Sequence, residues 1–115
     1  MELNANDNEL RRALEDEGFC KRRYGTAMTK KLRLRLDALR AADSLADFWP
    51  PKSGPERCHE LKGDRVGVFS VDLKQPYRLL FVSTSSPPME GEGDEQERWK
   101  TITSINIVAI EDTHG

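Results

Sequence analysis

The sequence predicts an α+β domain, two N-terminal helices packed on a small, mainly antiparallel sheet of three to five strands. Two observations carry this. Apolar residues recur at helical spacing in the first part of the chain and at a period of two in the second. Helical and strand segments are also segregated along the chain, divided by the proline-rich stretch "FWPPKSGP", which favours one layer of helices against one sheet.

The opening "MELNA" reads as a short strand or an irregular start. Asp7 is a candidate N-cap for a first helix with Leu10, Leu14 and Phe19 on its buried side. Gly25 breaks that helix, and a second begins near Thr26. Here Met28, Leu32, Leu36 and Leu39 form one apolar row, and Leu34, Ala38, Ala41 and Leu45 form another beside it. Lys30, Arg33, Asp37 and Arg40 fall on the wet side, and the helix is expected to stop between residues 43 and 46.

Beyond the proline loop, "RCHELKGD" reads as a short strand ending in a Gly-Asp turn. "RVGVFSVDL" alternates Val66, Val68, Ser70 and Asp72 with Gly67, Phe69, Val71 and Leu73. "KQP" closes a hairpin to "YRLLFVS", where Tyr77, Leu79 and Phe81 oppose Arg78, Leu80 and Val82. Residues 84–98 hold two prolines, two glycines and five acids without periodicity, and are expected to form a flexible acidic insertion within a hairpin of the single domain spanning 1–115. "WKTITSINIVAIED" is the last strand. Its apolar residues lie on both faces, so it belongs in the middle of the sheet. A strand anchored in that way would deliver Asp112 and His114 to the hairpin strand carrying Arg78.

Composition narrows the function. The formal charge is −2, but residues 1–83 carry 16 basic against 13 acidic side chains, and residues 84–115 carry 2 against 7. A basic body with one acidic segment suits nucleic acid or an acidic protein partner. No apolar run approaches membrane-spanning length, the N-terminus lacks the pattern of a signal peptide, and a cytoplasmic protein is expected. Cys20 and Cys58 are far apart, with no CxxC spacing, so reduced thiols and no metal or other cofactor are expected. Dinucleotide, P-loop, HExxH and GxSxG motifs are all absent.

The stretch "RCHELKGDRVGVFSVDLKQPYRLLFV", followed by a strand and a terminal Asp-x-His, resembles the HigB-type branch of the RelE/ParE toxin superfamily. The upstream "YGTAMTKKLRLRLDALRAADSLADF" with its "WPP" loop adds to the likeness, which covers residues 24–115. The resemblance implies a RelE-like fold and the toxin of a type II toxin–antitoxin operon. Such a toxin is a metal-independent endoribonuclease that cleaves mRNA on the translating ribosome. Its implied partners are mRNA, the ribosome and a cognate helix-turn-helix antitoxin, with operator DNA reached only through the antitoxin and no membrane. Two other outcomes stay open at this stage: a non-enzymatic gyrase-binding toxin like the ParE branch, and a weakly active or inactive homologue that serves as an antitoxin-binding partner.

RNA cleavage by attack of the 2′-hydroxyl needs a base, positive charge on the pentacovalent phosphate, and an acid for the leaving oxygen. His114 is the candidate base, because imidazole titrates near neutrality. Asp112 is the candidate to fix its tautomer or accept a proton. Arg78 offers a guanidinium fork to phosphate oxygens. Lys62 and Arg65, around the Gly63-Asp64 turn, are candidates to grip the RNA backbone, and Tyr77 to stack on a base. His59 beside Cys58 and Trp99 read as structural, and Lys30, Lys31, Arg33 and Arg35 as a basic face for ribosomal RNA or an acidic antitoxin segment. The chain departs from the family at Thr113, where many relatives carry tyrosine, and at Asp72, where a basic residue is common.

Overall fold

A computed structural model describes residues 1–85 and 94–112. The first strand, β1 (Glu2–Ala5), is followed by α1 (Asn8–Glu15), α2 (Glu17–Tyr24) and α3 (Thr26–Ala41). Asp7 caps α1 as expected, its carboxylate accepting the Leu10 N–H at 2.7 Å. The expected first helix is in fact two. Asp16 takes up an extended conformation, ends α1, and its carboxylate accepts the Phe19 N–H that opens α2. An aspartate can break a helix in this way because its side chain offers the orphan N–H groups of the next turn an acceptor. Gly25, at φ 89°, then separates α2 from α3 in a conformation that favours glycine.

In α3 the row Met28, Leu32, Leu36 and Leu39 is buried as its spacing predicts. The second row is divided: Leu34 is 53% exposed and Ala41 is exposed, whereas Ala38 packs against the core and Leu45 is buried in it from a separate 3-10 turn, Leu45–Phe48. Thr29 and Arg35 take the buried positions instead. Thr29 satisfies itself by donating to the Gly25 carbonyl at 2.8 Å.

The remaining elements are β2 (His59–Glu60), a 3-10 turn (Gly63–Arg65), β3 (Val68–Asp72), β4 (Tyr77–Ser83), α4 (Glu95–Lys100) and β5 (Ser104–Asp112). The sheet order is β1-β5-β4-β3-β2; β1 runs parallel to β5 and the other pairings are antiparallel. The expected α+β fold is therefore observed, with β5 paired on both sides. The "KQP" hairpin closes with Leu73 N–H donating to Tyr77 O at 3.0 Å and Tyr77 N–H to Lys74 O at 2.8 Å. Residues 86–93 of the acidic insertion lie outside the described residues. Asp94 caps α4 through the Glu97 N–H, so the insertion's last residues are helical, and β5 starts five residues after Trp99.

Alternation divides the sheet. Phe69, Val71, Leu79, Phe81, Ile105 and Ile107 face the helices and lie within one apolar core with Leu32, Leu36 and Leu39. Trp99 joins this core from α4, edge-on to Trp49 at 5.2 Å and to Phe69 at 5.8 Å. A β-bulge interrupts the β4–β5 ladder, where Leu80 pairs with Ala109 but Phe81 with Ile107, leaving Val108 as the extra residue. Among the described residues no helix is long and apolar enough to cross a membrane.

Candidate functional site on the sheet face opposite the core

The other face carries the charged groups, in rows set by register. One row runs Asp72, Arg78, Glu111 across β3, β4 and β5; the next runs His59, Ser70, Leu80, Ala109. Neighbouring strands are about 4.8 Å apart, so side chains of one row are in mutual reach.

Asp72 is the hub. It is 5% exposed, and three arginines converge on it. Arg57 Nε lies 3.2 Å from its Oδ2, and Arg78 Nε 3.6 Å from its Oδ1. From the helix side, Arg35 Nε donates to the Asp72 carbonyl at 2.7 Å, and Arg35 Nη2 to Pro55 O at 3.1 Å. Arg35 thus leaves the basic face assigned to it from the sequence, because a guanidinium can be buried when carbonyls satisfy it. Asp72 is accordingly a counter-ion rather than a bare charge repelling phosphate.

Arg65 and Arg78 are held differently. Arg65 reaches from the 3-10 turn to β5, where its two Nη groups donate to both carboxylate oxygens of Glu111 at 2.9 Å. This fork holds the Glu111 carboxyl below its ordinary value and raises the Arg65 guanidinium above its own, the hydrogen bond being the main cause in each case. Arg78 has only the 3.6 Å charge contact, too long for a hydrogen bond, and its buried Nε and Asp72 Oδ1 find no hydrogen-bond partner among the described residues. Its side chain is 31% exposed, open to a further acceptor.

His59 shares this face. Its Nδ1 lies 2.8 Å from the Arg57 carbonyl oxygen. A carbonyl only accepts, so Nδ1 carries a proton and donates it to Arg57 O, which leaves Nε2 as the ring's other nitrogen. Arg57 itself sits at φ 48°, an uncommon backbone conformation for a side-chain-bearing residue. His59 also borders a cleft of about 420 Å³ with Pro51, Lys52, Leu61, Lys62 and Glu95. Cys58 next to it points the other way, and burial pushes its thiol up to about 12.

The residues singled out from the sequence are therefore divided. Arg78 and Arg65 are together on the face opposite the core, with Lys62 at its β2 edge. Tyr77 and Asp112 pair with each other and project to the opposite face, because the residue across from Arg78 is Glu111. Pairing of β4 with β5 was expected to bring Asp112 to Arg78; the strands do pair, but their register separates the two side chains. His114 and Thr113 lie outside the described residues. Three residues missed from the sequence, His59, Arg57 and Glu111, belong to the same face as Arg78. For His59 a signal was present: it stands two residues from Leu61, in the "HELKGDR" stretch that also supplied Lys62 and Arg65. Among the described residues, no group of His, Cys, Asp or Glu could hold a metal ion.

No family model matches the chain, and no curated protein sequence does either. Solved structures do. A YoeB/ParE toxin from Agrobacterium tumefaciens shares the fold over 99% of this chain and 100% of its own, at 17% identity and a TM-score of 0.55. YoeB from Staphylococcus aureus matches over 96% of this chain and 94% of its own at 16% identity, with TM-scores of 0.51 in its complex with YefM and 0.52 as a dimer. The chain has the fold of the YoeB/ParE toxins, as the RelE/ParE resemblance implied.

Proposed function

We propose that this protein is a HigB-type toxin of a type II toxin–antitoxin pair, a metal-independent endoribonuclease that cleaves mRNA, on the ribosome, and is silenced by a protein antitoxin. The observation that carries this reading is Arg78, a partly exposed guanidinium on the sheet face opposite the apolar core, with hydrogen-bonding capacity to spare. A phosphodiester lying along the face would meet Arg78 at the developing negative charge, while Arg65 and Lys62 grip neighbouring backbone oxygens. The S. aureus neighbour of the same fold, solved as a YoeB-YefM complex, supports a protein partner of this kind.

Two imidazoles are candidates for proton transfer. His114 is the base in the resemblance. His59 is the candidate added by geometry, since its Nδ1 is held by the Arg57 carbonyl and it stands in the register row next to that of Asp72 and Arg78. One can take the 2′-hydroxyl proton while the other, protonated, donates to the leaving 5′ oxygen. Asp112 and Tyr77, from the far face, are assigned to the setting of the strand end and to a base that wraps around it.

The test is RNA cleavage and growth arrest on expression without antitoxin, comparing wild type with Arg78→Ala, His59→Gln and His114→Ala. Arg78→Ala is expected to lower cleavage by roughly 10²–10³-fold, and each histidine variant by about 10²–10⁴-fold. Arrest as strong as wild type from both Arg78→Ala and His114→Ala would rule out this site. A second reading, the non-enzymatic or weakly active homologue, has the pairing of Arg57, Arg78 and Arg65 with Asp72 and Glu111 in its favour. It predicts that wild type cleaves no RNA and still binds its antitoxin.

A further inference from the structure

The segment between β2 and β3 is held in place by charge rather than by packing. Residues 62–67 bury no side chain, and Val66 is 68% exposed. The backbone bonds of the 3-10 turn are long, with Arg65 N–H to Lys62 O and Val66 N–H to Gly63 O at 3.4 Å each. Glycines in left-handed conformations stand on either side, Gly63 at φ 71° and Gly67 at φ 95°. Two charged ties hold the segment: the Gly67 N–H donates to the Glu60 carboxylate at 2.9 Å, and Arg65 forks onto Glu111. A segment without a buried apolar anchor opens at low cost.

The Arg65 tie crosses the candidate site. In the ladder Glu111 stands two strands across and four residues along from Val68, roughly 16 Å away. To reach it from the turn, the chain folds back and Arg65 passes over the row of Ser70, Leu80 and Ala109. Leu80 is fully buried there, although it lies on the side away from the helices and outside the apolar core. Ser70 is fully buried as well, and its hydroxyl finds no partner among the described residues. Native interiors seldom shut in a hydroxyl in this way. The tie also ends where a phosphate would lie, because Glu111 is the residue across from Arg78. A phosphodiester at Arg78 brings a second negative charge beside that carboxylate, and a guanidinium fork fits either acceptor.

We propose that residues 62–67 form a strap closed over this face by the Arg65–Glu111 pair, and that an RNA phosphate opens it by taking Arg65 from Glu111. Glu111 is an internal stand-in for phosphate. Arg65 keeps an acceptor in both positions, so the exchange gives up only the weak closed contacts of the strap. Opening bares Ser70, and the released guanidinium is the one that grips the RNA backbone.

This rests on the ribonuclease reading, and the experiment keeps the two apart. Opening is read without RNA, by hydrogen exchange of the residue 63–67 amides; affinity for a short single-stranded RNA and cleavage of a long one are measured separately. Glu111→Gln removes the charge of the tie. Gly67→Ala changes no charge, and its added methyl meets nothing within 4 Å, so its cost is the strained φ of the closed strap. Circular dichroism checks that both fold, and Gly63→Ala, equally free of contacts, replaces Gly67→Ala if that variant does not. Exchange is expected to quicken up to about fivefold in Glu111→Gln and roughly five- to thirtyfold in the glycine variant, with tighter RNA binding in both. Unchanged exchange in both variants overturns the strap. Tighter binding in Glu111→Gln alone is an effect of charge without closure and overturns it too. Faster exchange in the glycine variant with RNA affinity unchanged overturns the strap's part in RNA binding, while cleavage by wild type leaves the ribonuclease reading intact. Wild type that neither binds nor cleaves RNA overturns both.

Discussion

The two faces of one sheet differ in everything except their backbone. On β3 and β4, Phe69, Val71, Leu79 and Phe81 face the helices and form part of an apolar core. One residue away along the same strands, Ser70, Asp72, Arg78 and Leu80 form the other face, with arginines and a histidine gathered over it. A strand shows alternate side chains to alternate sides, so a seven-residue segment can hold the fold with one half of its residues and present chemistry with the other. The two halves can therefore be changed separately.

The largest separation is expected between neighbouring kinds of residue on β4. Phe81→Ala removes a fully buried ring stacked on Phe69 at 5.9 Å and should cost about 3–5 kcal/mol of stability. Arg78→Ala should leave the urea midpoint nearly unchanged while removing activity, because Asp72 keeps Arg57 and Gln75 as partners. If urea titration found Arg78→Ala as destabilising as Phe81→Ala, the division between the faces would fail.

Asp72→Asn tests the one residue that serves both halves. It keeps the shape but removes the charge that holds Arg57 and Arg78, at a cost of about 1–3 kcal/mol. The face then carries one more net positive charge, so RNA affinity should rise and its fall with salt should steepen. Affinity and salt slope together decide this, and weaker binding would show that Asp72 positions the arginines rather than merely neutralising them.

The smallest effect is expected at Arg65 and Glu111, a pair exposed enough for solvent to screen it. The Glu111 carboxyl is depressed in the folded protein. Its contribution is therefore full above the ordinary glutamate value and lost as pH falls through the depressed value. Arg65→Ala should return the Glu111 titration, followed by carboxyl NMR, upward to its ordinary position and flatten that part of the acid limb. An unmoved Glu111 titration would mean that Arg65 is not what holds it.

Much of this was legible in the chain. The Asp7 cap, the break at Gly25, the Met28-Leu32-Leu36-Leu39 row and the "KQP" hairpin all depend on residues within a few positions of one another. The Asp16 break was hidden because an aspartate ends a helix through its side chain, without the glycine or proline that marks most breaks. Trp99 was placed in a strand because the acid-rich residues before it mask a capped helical turn. Arg35 looked like a surface charge on a basic helix, and no local pattern announces carbonyls supplied from residues 55 and 72.

The site shows the same limit. That Arg78 lies on the face away from Leu79 follows from alternation alone, and so does the central placement of an apolar β5. Which residue of β5 stands across from Arg78 does not. It depends on a register interrupted by the bulge at Val108, and a shift of one residue exchanges Glu111 for Asp112 and reverses the face. Helix caps, turns and alternation are short-range chemistry, written in adjacent residues. The partners of Arg35, Arg65 and Asp72 are brought together by strands and helices far apart in the chain, and only their packing decides which charges meet.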